Sequence, residues 1–147
     1  MIRKIQKSDE RGATLVEFSI AATVFIMAMF AVLEFGRALW THNALTDAAR
    51  RGARYATLQG MDKEEQVKNV VVYGSPSGGS KPVVQNLTTN NVNVDYDNYG
   101  LDSGTVTVTI TEYDFEFVIP IVSTSIRMPS YSTTLTGESV GLIPATL

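Results

Sequence analysis

The sequence predicts an α+β fold in which a long N-terminal helix, half transmembrane segment and half projecting shaft, packs on a small antiparallel sheet. Three observations predict this fold. Residues 18–33 are sixteen consecutive uncharged residues, most of them apolar. No proline occurs before Pro76, so the helical pattern continues uninterrupted to about residue 58. Beyond residue 90 the apolar residues alternate with a period of two, which is the period of strands.

The charge of the chain is unevenly divided. The 147 residues suit one folded domain together with the N-terminal segment. Residues 1–12 hold four cations and two acids, whereas the remainder holds eight cations and thirteen acids. A basic head before an apolar run favours an orientation with the head in the cytoplasm. A basic head on an acidic body gives no case for a nucleic-acid partner.

The apolar run is long enough to cross a membrane. Extended back to Ala13, it contains one acid, Glu17, and about 20 residues span a bilayer. We therefore expect a cytoplasmic leader at 1–12, a transmembrane helix in contact with membrane lipid at 13–36, and an extracytoplasmic region at 37–147 that combines the helix extension with a β-rich domain. The alternative is a cleaved secretory signal, but no convincing small-x-small site follows the run.

Glu17 is the unusual residue of this span. A carboxylate near the start of an apolar helix costs a few kcal/mol if it has no partner. One interpretation places the side chain at the interface, where it reaches the lipid headgroups. The other interpretation gives it a positive partner in another molecule. The residues of the span alone leave both interpretations open.

Three stretches of the N-terminal region carry a family resemblance. Residues 12–18 read Gly-Ala-Thr-Leu-Val-Glu-Phe, which resembles a type IV prepilin processing site: a glycine, four residues, a glutamate and an aromatic before an apolar helix. Residues 34–38 read Glu-Phe-Gly-Arg-Ala, and residues 48–56 read Ala-Ala-Arg-Arg-Gly-Ala-Arg-Tyr-Ala. Together they resemble the TadE-like family of tight-adherence (Tad, or Flp) type IVb pilus systems.

The resemblance implies a type IV pilin-like architecture and a sequence of events. A prepilin peptidase would cut between Gly12 and Ala13. The carboxylate of Glu17 would then meet the new ammonium of Ala13 on a neighbouring subunit, with Phe18 beside it in the assembly site. The implied protein is a minor pilin or pseudopilin of the bacterial inner membrane and of a surface pilus used in cell adhesion. Its partners would be other pilin or pseudopilin subunits.

Two other classes of function are alternatives to this one. A single-pass membrane-anchored protein with an extracytoplasmic binding domain would share the span but never polymerise. An extracytoplasmic enzyme has no catalytic constellation to support it. The chain has no cysteine and one histidine, so we expect neither a metal site nor a cofactor. A calcium-loop pattern that starts at Asp95 fails at its fifth and twelfth positions, Tyr99 and Val106.

Beyond the span, two features of the helix call for partners. Glu34 and Arg37 lie three residues apart on one face, which predicts a local ion pair at the outer membrane boundary; a contact between subunits is the alternative. Trp40 suits the aromatic belt of a membrane interface. Small residues then recur every four positions, at Ala44, Ala48, Gly52 and Ala56. Either the chain's own sheet or a neighbouring helix would pack on this strip.

The C-terminal region predicts the rest of the fold. A second helix is expected over 61–73, with Asp62 as its N-cap. A first strand is expected over 92–96, followed by one long half-buried strand over 105–117 whose threonines face water. A third strand is expected over 131–138.

Overall fold

A computed structural model of the chain describes residues 9–59, 61–98, 104–118 and 124–136. The elements are α1 (Asp9–Thr57), α2 (Glu64–Tyr73), β1 (Val92–Asp97), β2 (Thr105–Ile110), β3 (Asp114–Glu116), β4 (Ser125–Arg127) and β5 (Tyr131–Thr136), with single 3₁₀ turns at Met61–Lys63 and Thr89–Asn91. A long N-terminal helix beside a small antiparallel sheet confirms the predicted α+β arrangement.

Helix α1 is unbroken over 49 residues, about 73 Å. It begins at Asp9, before the predicted span at 13–36, and ends at Thr57, one residue before the predicted end. Its first part, residues 12–33, projects from the domain with its side chains exposed or, at Ala22, half-exposed. From Glu34 onward, one face of the helix is buried against the rest of the chain. We call residues 12–33 the apolar half of α1 and residues 34–57 its packed half.

The strip of small residues explains the close packing of the packed half. Ala48, Ala53 and Ala56 have no exposed surface. A Cβ atom added to Gly52 would lie 2.3 Å from Cγ2 of Val71 on α2. Of the two alternatives for this strip, the chain's own α2 and sheet are therefore the partners that cover it.

The main sheet has three antiparallel strands in the order β1-β2-β5. In the central strand, Val106, Val108 and Ile110 are buried and the threonines between them are half-exposed, as the period of two predicted. Threonine and serine hydroxyls pair across β2 and β5 on the outer face: Thr107 with Thr134 at 2.8 Å and Thr109 with Ser132 at 3.1 Å. The valine face lies against α1 and completes the core.

The prediction of one long strand over 105–117 is wrong. Strand β2 ends at Ile110, and β3 pairs with β4 in a separate two-stranded sheet. The chain bends at Glu112, whose φ of 56° lies in the left-handed region. The Asn91 side-chain amide donates to the carbonyl oxygens of Thr111 and Glu112 at 3.2 and 3.1 Å and stabilises the bend. Alternation of apolar residues continues across the bend, so the pattern does not reveal it.

The predicted cap of the second helix is also wrong. A 3₁₀ turn, Met61–Lys63, precedes α2, and Lys63 occupies the N-cap position without a side-chain capping bond. The Asp62 carboxylate instead lies 3.3 Å from Nζ of Lys63. The third strand is confirmed over Tyr131–Thr136. Residues 137–138, like residue 99 of the calcium-loop pattern, lie outside the described residues.

Candidate functional site: the projecting helix and its junction with the domain

The apolar half of α1 presents an apolar surface on every side. Its exposed side chains include Phe18 at 70%, Phe25 at 70% and Val32 at 71% of their full exposure. Among the described residues, one helix, Gly12–Thr57, is long and apolar enough to cross a membrane. The hydroxyls of Ser19 and Thr23 each donate to the carbonyl oxygen four residues earlier at 2.8 Å. These hydroxyls therefore need no water, as a lipid environment requires.

The residues that the sequence predicted for processing and assembly lie together at the start of this half. Gly12, Ala13, Glu17 and Phe18 are all exposed, and Ala13 and Glu17 lie one helical turn apart on one face. A Cβ atom on Gly12 would meet no atom within 4 Å. Among the side chains that the structure describes, none forms an ion pair or hydrogen bond with the Glu17 carboxylate. The roles of these four residues in processing and assembly stay predictions.

Glu34 is the first buried residue of α1 after Gly12, and it holds the domain to the helix. Its side chain is 9% exposed. One carboxylate oxygen, Oε2, accepts from Nε of Arg37 at 3.0 Å, which is the local ion pair that the spacing predicted. The other oxygen, Oε1, accepts from the backbone N–H of Val118 at 2.7 Å. A buried carboxylate is stable when its oxygens are paired in this way.

Arg37 extends the same junction to strand β3. Its Nη2 donates to the carbonyl oxygen of Glu116. Its Cζ atom lies 4.3 Å from the centre of the Phe115 ring, and Phe115 meets Phe117 edge to face at 5.4 Å between ring centres. A cation over an aromatic face is an attractive arrangement. The pair thus joins the helix to a strand within one chain, and a contact of Glu34 or Arg37 with another subunit stays a prediction.

The partners of this junction carry no signal that the sequence reveals. Val118 and Glu116 contribute backbone atoms, which any residue type could supply, from about 80 positions away along the chain. The aromatic residues Phe115 and Phe117 alternate along the chain. This alternation predicts a strand, but it does not predict a contact with Arg37.

A second polar contact ties α1 to β5 further along the helix. Nδ1 of His42 lies 2.9 Å from the hydroxyl of Tyr131, and their rings meet edge to face at 5.1 Å. Burial raises the pKa of the Tyr131 hydroxyl. The single histidine therefore has a structural partner.

The two-stranded sheet carries an ion pair on its surface. Nε and Nη2 of Arg127 donate to the two carboxylate oxygens of Asp114 at 3.0 and 3.1 Å. These bonds from Arg127 lower the pKa of the Asp114 carboxyl, and both groups are open to solvent. Within the described parts of the chain, no three histidine, aspartate or glutamate side chains lie close enough to hold a metal ion.

The projecting helix and its junction are the part of the chain that comparison with known proteins identifies. A family model described as TadE-like protein matches residues 12–54. No curated protein and no solved structure gave a match. The matched segment starts at Gly12 and takes in Glu17, Glu34 and Arg37, so it covers the apolar half and nearly all of the packed half. The family is associated with Tad pilus systems and is structural in character. Residues 12–54 are therefore similar to the TadE-like family, which supports the resemblance that the sequence motifs predicted.

Proposed function

We propose that the chain is a structural minor pilin or pseudopilin that takes part in assembling a Tad-type pilus at a bacterial inner membrane. The observation that carries this proposal is the apolar half of α1, which projects from a packed domain with its large apolar side chains exposed. Burying such a surface is worth about 25 cal/mol per Å². Lipid can bury it before assembly, and a bundle of like helices can bury it afterwards.

The proposed topology follows from charge and length. The basic head, residues 1–12, stays in the cytoplasm, residues 13–36 cross the membrane, and residues 37–147 lie outside. From Ala13 to Glu34 the helix rises about 32 Å, close to the hydrocarbon thickness of about 30 Å. Glu34 then lies at the outer boundary, where its charge is already neutralised by Arg37.

Processing by a prepilin peptidase is the first step of the proposed mechanism. Gly12 lies inside α1, and a helical glycine costs about 1 kcal/mol relative to alanine, so the helix opens more readily at the scissile bond. We expect membrane-extracted protein to lack residues 1–12 by intact mass, and Gly12→Leu to retain them.

Gly36→Leu is the matched control for this experiment, because Gly36 is also an exposed helical glycine with open space around its Cα atom. This variant should be processed normally. A wild-type mass that includes Met1 would contradict the processing step.

Assembly is the second step, in which the Glu17 carboxylate pairs with the Ala13 ammonium of another subunit. Both groups would otherwise be lone charges in an apolar bundle. Glu17→Gln keeps the size of the side chain and removes its charge. We expect this variant to enter the membrane and be processed, but to be lost from the sheared pilus fraction.

Ser19→Ala is the control for assembly, because its hydroxyl bonds only within the helix in the described structure. Its content in the pilus fraction should equal that of the wild type. Wild-type amounts of Glu17→Gln in sheared pili would refute the pairing role.

A non-polymerising membrane anchor is the second candidate, and one observation favours it. The small-residue strip of the packed half is covered by α2 and the sheet of the same chain, so it offers no surface for a neighbouring helix. In that case the domain would act as a binding module at the membrane. Detection of the wild-type chain in sheared, purified pili by immunoblot supports the pilin, and its restriction to the membrane fraction supports the anchor.

A further inference from the structure

The two-stranded sheet is fixed to α1 at a defined height along the helix. Arg37 contacts Phe115 and Glu116, and Glu34 binds the backbone N–H of Val118 at 2.7 Å. The chain from Phe115 to Val118 therefore runs from the level of Arg37 to the level of Glu34, toward the apolar half of the helix. This end of the domain is the one nearest the projecting helix.

Apolar side chains are exposed at this end of the domain. Val118 is 69% exposed, Ile126 is 53% exposed, and Phe35 on α1 is 66% exposed. Phe35 directly follows Glu34, Val118 binds Glu34 through its backbone N–H, and Ile126 lies opposite Phe115, the residue that Arg37 contacts. Exposed apolar residues gathered at one level mark a contact surface.

We propose that this end of the domain is a second membrane contact, in which Val118, Ile126 and Phe35 insert at the outer lipid boundary beside the spanning helix. The inference rests on the proposed span of residues 13–36, which places Glu34 at that boundary. Trp40, six residues or about 9 Å further along, then lies among the headgroups, where tryptophan is enriched. The occupant of the surface is thus the hydrocarbon edge of a phospholipid bilayer.

Such a contact would fix the orientation of the domain. A domain held by one helix alone could turn with it in the membrane. The Glu34 and Arg37 bonds make the helix and the two-stranded sheet one unit, so lipid contact on the sheet selects one rotation of α1. The same face of each subunit would then meet its neighbours at the start of assembly.

The absence of cysteine from the chain allows a direct test. Single-cysteine variants Val118→Cys and Ile126→Cys would each carry an environment-sensitive fluorophore, in full-length protein at one copy per nanodisc. The discs would contain phosphatidylglycerol and phosphatidylcholine, with spin-labelled lipid bearing the quencher near the headgroup or at the end of the acyl chain.

Two further positions serve as references, one inside the proposed span and one outside the membrane. Leu33→Cys reports the span, and Leu58→Cys is the matched control, because Leu58 is an apolar residue of similar exposure, 59%, about 36 Å beyond Glu34. We expect blue-shifted emission at Val118 and Ile126, quenched several-fold more strongly by the shallow spin label than by the deep one. The label at Leu58 should behave as it does in water.

The outcomes separate this inference from the proposed function. Labels at Val118 and Ile126 that resemble Leu58, while Leu33 is quenched, would overturn the lipid contact and leave the spanning helix in place. Labels shielded only when two copies share a disc would overturn it in favour of a second copy of the chain. An unquenched label at Leu33 would remove the span itself, and the proposed function with it.

Discussion

The two halves of α1 belong to one unbroken helix but are stabilised in opposite ways. In the apolar half, large residues such as Phe25 are exposed over most of their surface. In the packed half, small residues allow α2 and the sheet to approach closely, and Leu45 is fully buried. The packed half has its partners within the chain, whereas the side chains of the apolar half are left exposed by the residues that the structure describes.

The two acids of this helix show the same difference. Glu34 accepts bonds from Arg37 and from the Val118 backbone, so its charge is neutralised at the junction with the domain. Glu17 has no such bond among the described side chains. A carboxylate in an apolar segment is stable when it is paired. The structure thus pairs Glu34 within the chain, and the contrast with Glu17 is the reason for the proposed assembly step.

The largest expected difference between the halves concerns the core. Leu45→Ala should lower the free energy of unfolding of the domain by about 3 kcal/mol, because it removes a fully buried side chain and leaves a cavity. Phe25→Ala should leave that free energy unchanged, since Phe25 is 70% exposed and lies outside the core of the described residues. Denaturant unfolding in mild detergent, followed by near-ultraviolet circular dichroism, measures both. Destabilisation by Phe25→Ala would show that the apolar half also contributes to the stability of the domain.

The next effect concerns the two acids. Glu34→Ala should destabilise the domain by about 2 kcal/mol, since it leaves the Arg37 guanidinium and the Val118 N–H without their acceptor. Glu17→Ala should not change the unfolding of the domain.

A double-mutant cycle identifies the cause of the Glu34 effect. In an Arg37→Ala background, Glu34→Ala should cost less than it does in the wild type, because the ion pair is already absent. Equal costs in the two backgrounds would show that the ion pair contributes nothing to the junction.

A smaller effect is expected at two glycines of α1, one in a closely packed position and one in open space. Gly52→Ala should destabilise the domain by about 1 kcal/mol, because the new methyl would lie 2.3 Å from Cγ2 of Val71, a β-branched side chain with little freedom to move. Gly36→Ala has open space and should stabilise the helix by about 1 kcal/mol, the difference in helix propensity.

Thermal unfolding in detergent measures the opposite signs of the two glycine variants. Val71→Ala should relieve the Gly52→Ala defect, because it removes the methyl group that clashes. Equal effects of the two glycine substitutions would mean that the packed half is not closely packed at Gly52.

The features that the sequence predicted are those set by local pattern. An uncharged run without proline predicts α1, an alternating run predicts the face of β2, and a spacing of three predicts the ion pair of Glu34 and Arg37. Each depends on side chains that lie near one another along the chain. The small-residue strip predicted a close contact but not its partner, because a strip of alanines fits a sheet or a helix equally well.

The features that the sequence did not predict depend on backbone groups and distant contacts. The carbonyl of Glu116 and the N–H of Val118 carry no signature of residue type. The bend that ends β2 arises at Glu112 through bonds from Asn91, twenty-one residues earlier, while the apolar alternation runs on unchanged. The aspartate expected to cap α2 is used in an ion pair with Lys63 instead.

The smallest expected effect concerns Asp114 and Arg127, the exposed counterpart of the buried junction pair. The hydrogen bonds from Arg127 lower the pKa of Asp114 in the folded protein, so the stabilisation is fully present above the ordinary aspartate value of about 3.9 and is lost as the pH falls through the lower folded value. Arg127→Ala should raise the pKa of Asp114 in an NMR titration and change unfolding near neutral pH very little, because exposed pairs contribute little. An unchanged Asp114 pKa in that variant would show that the exposed pair is not formed in solution.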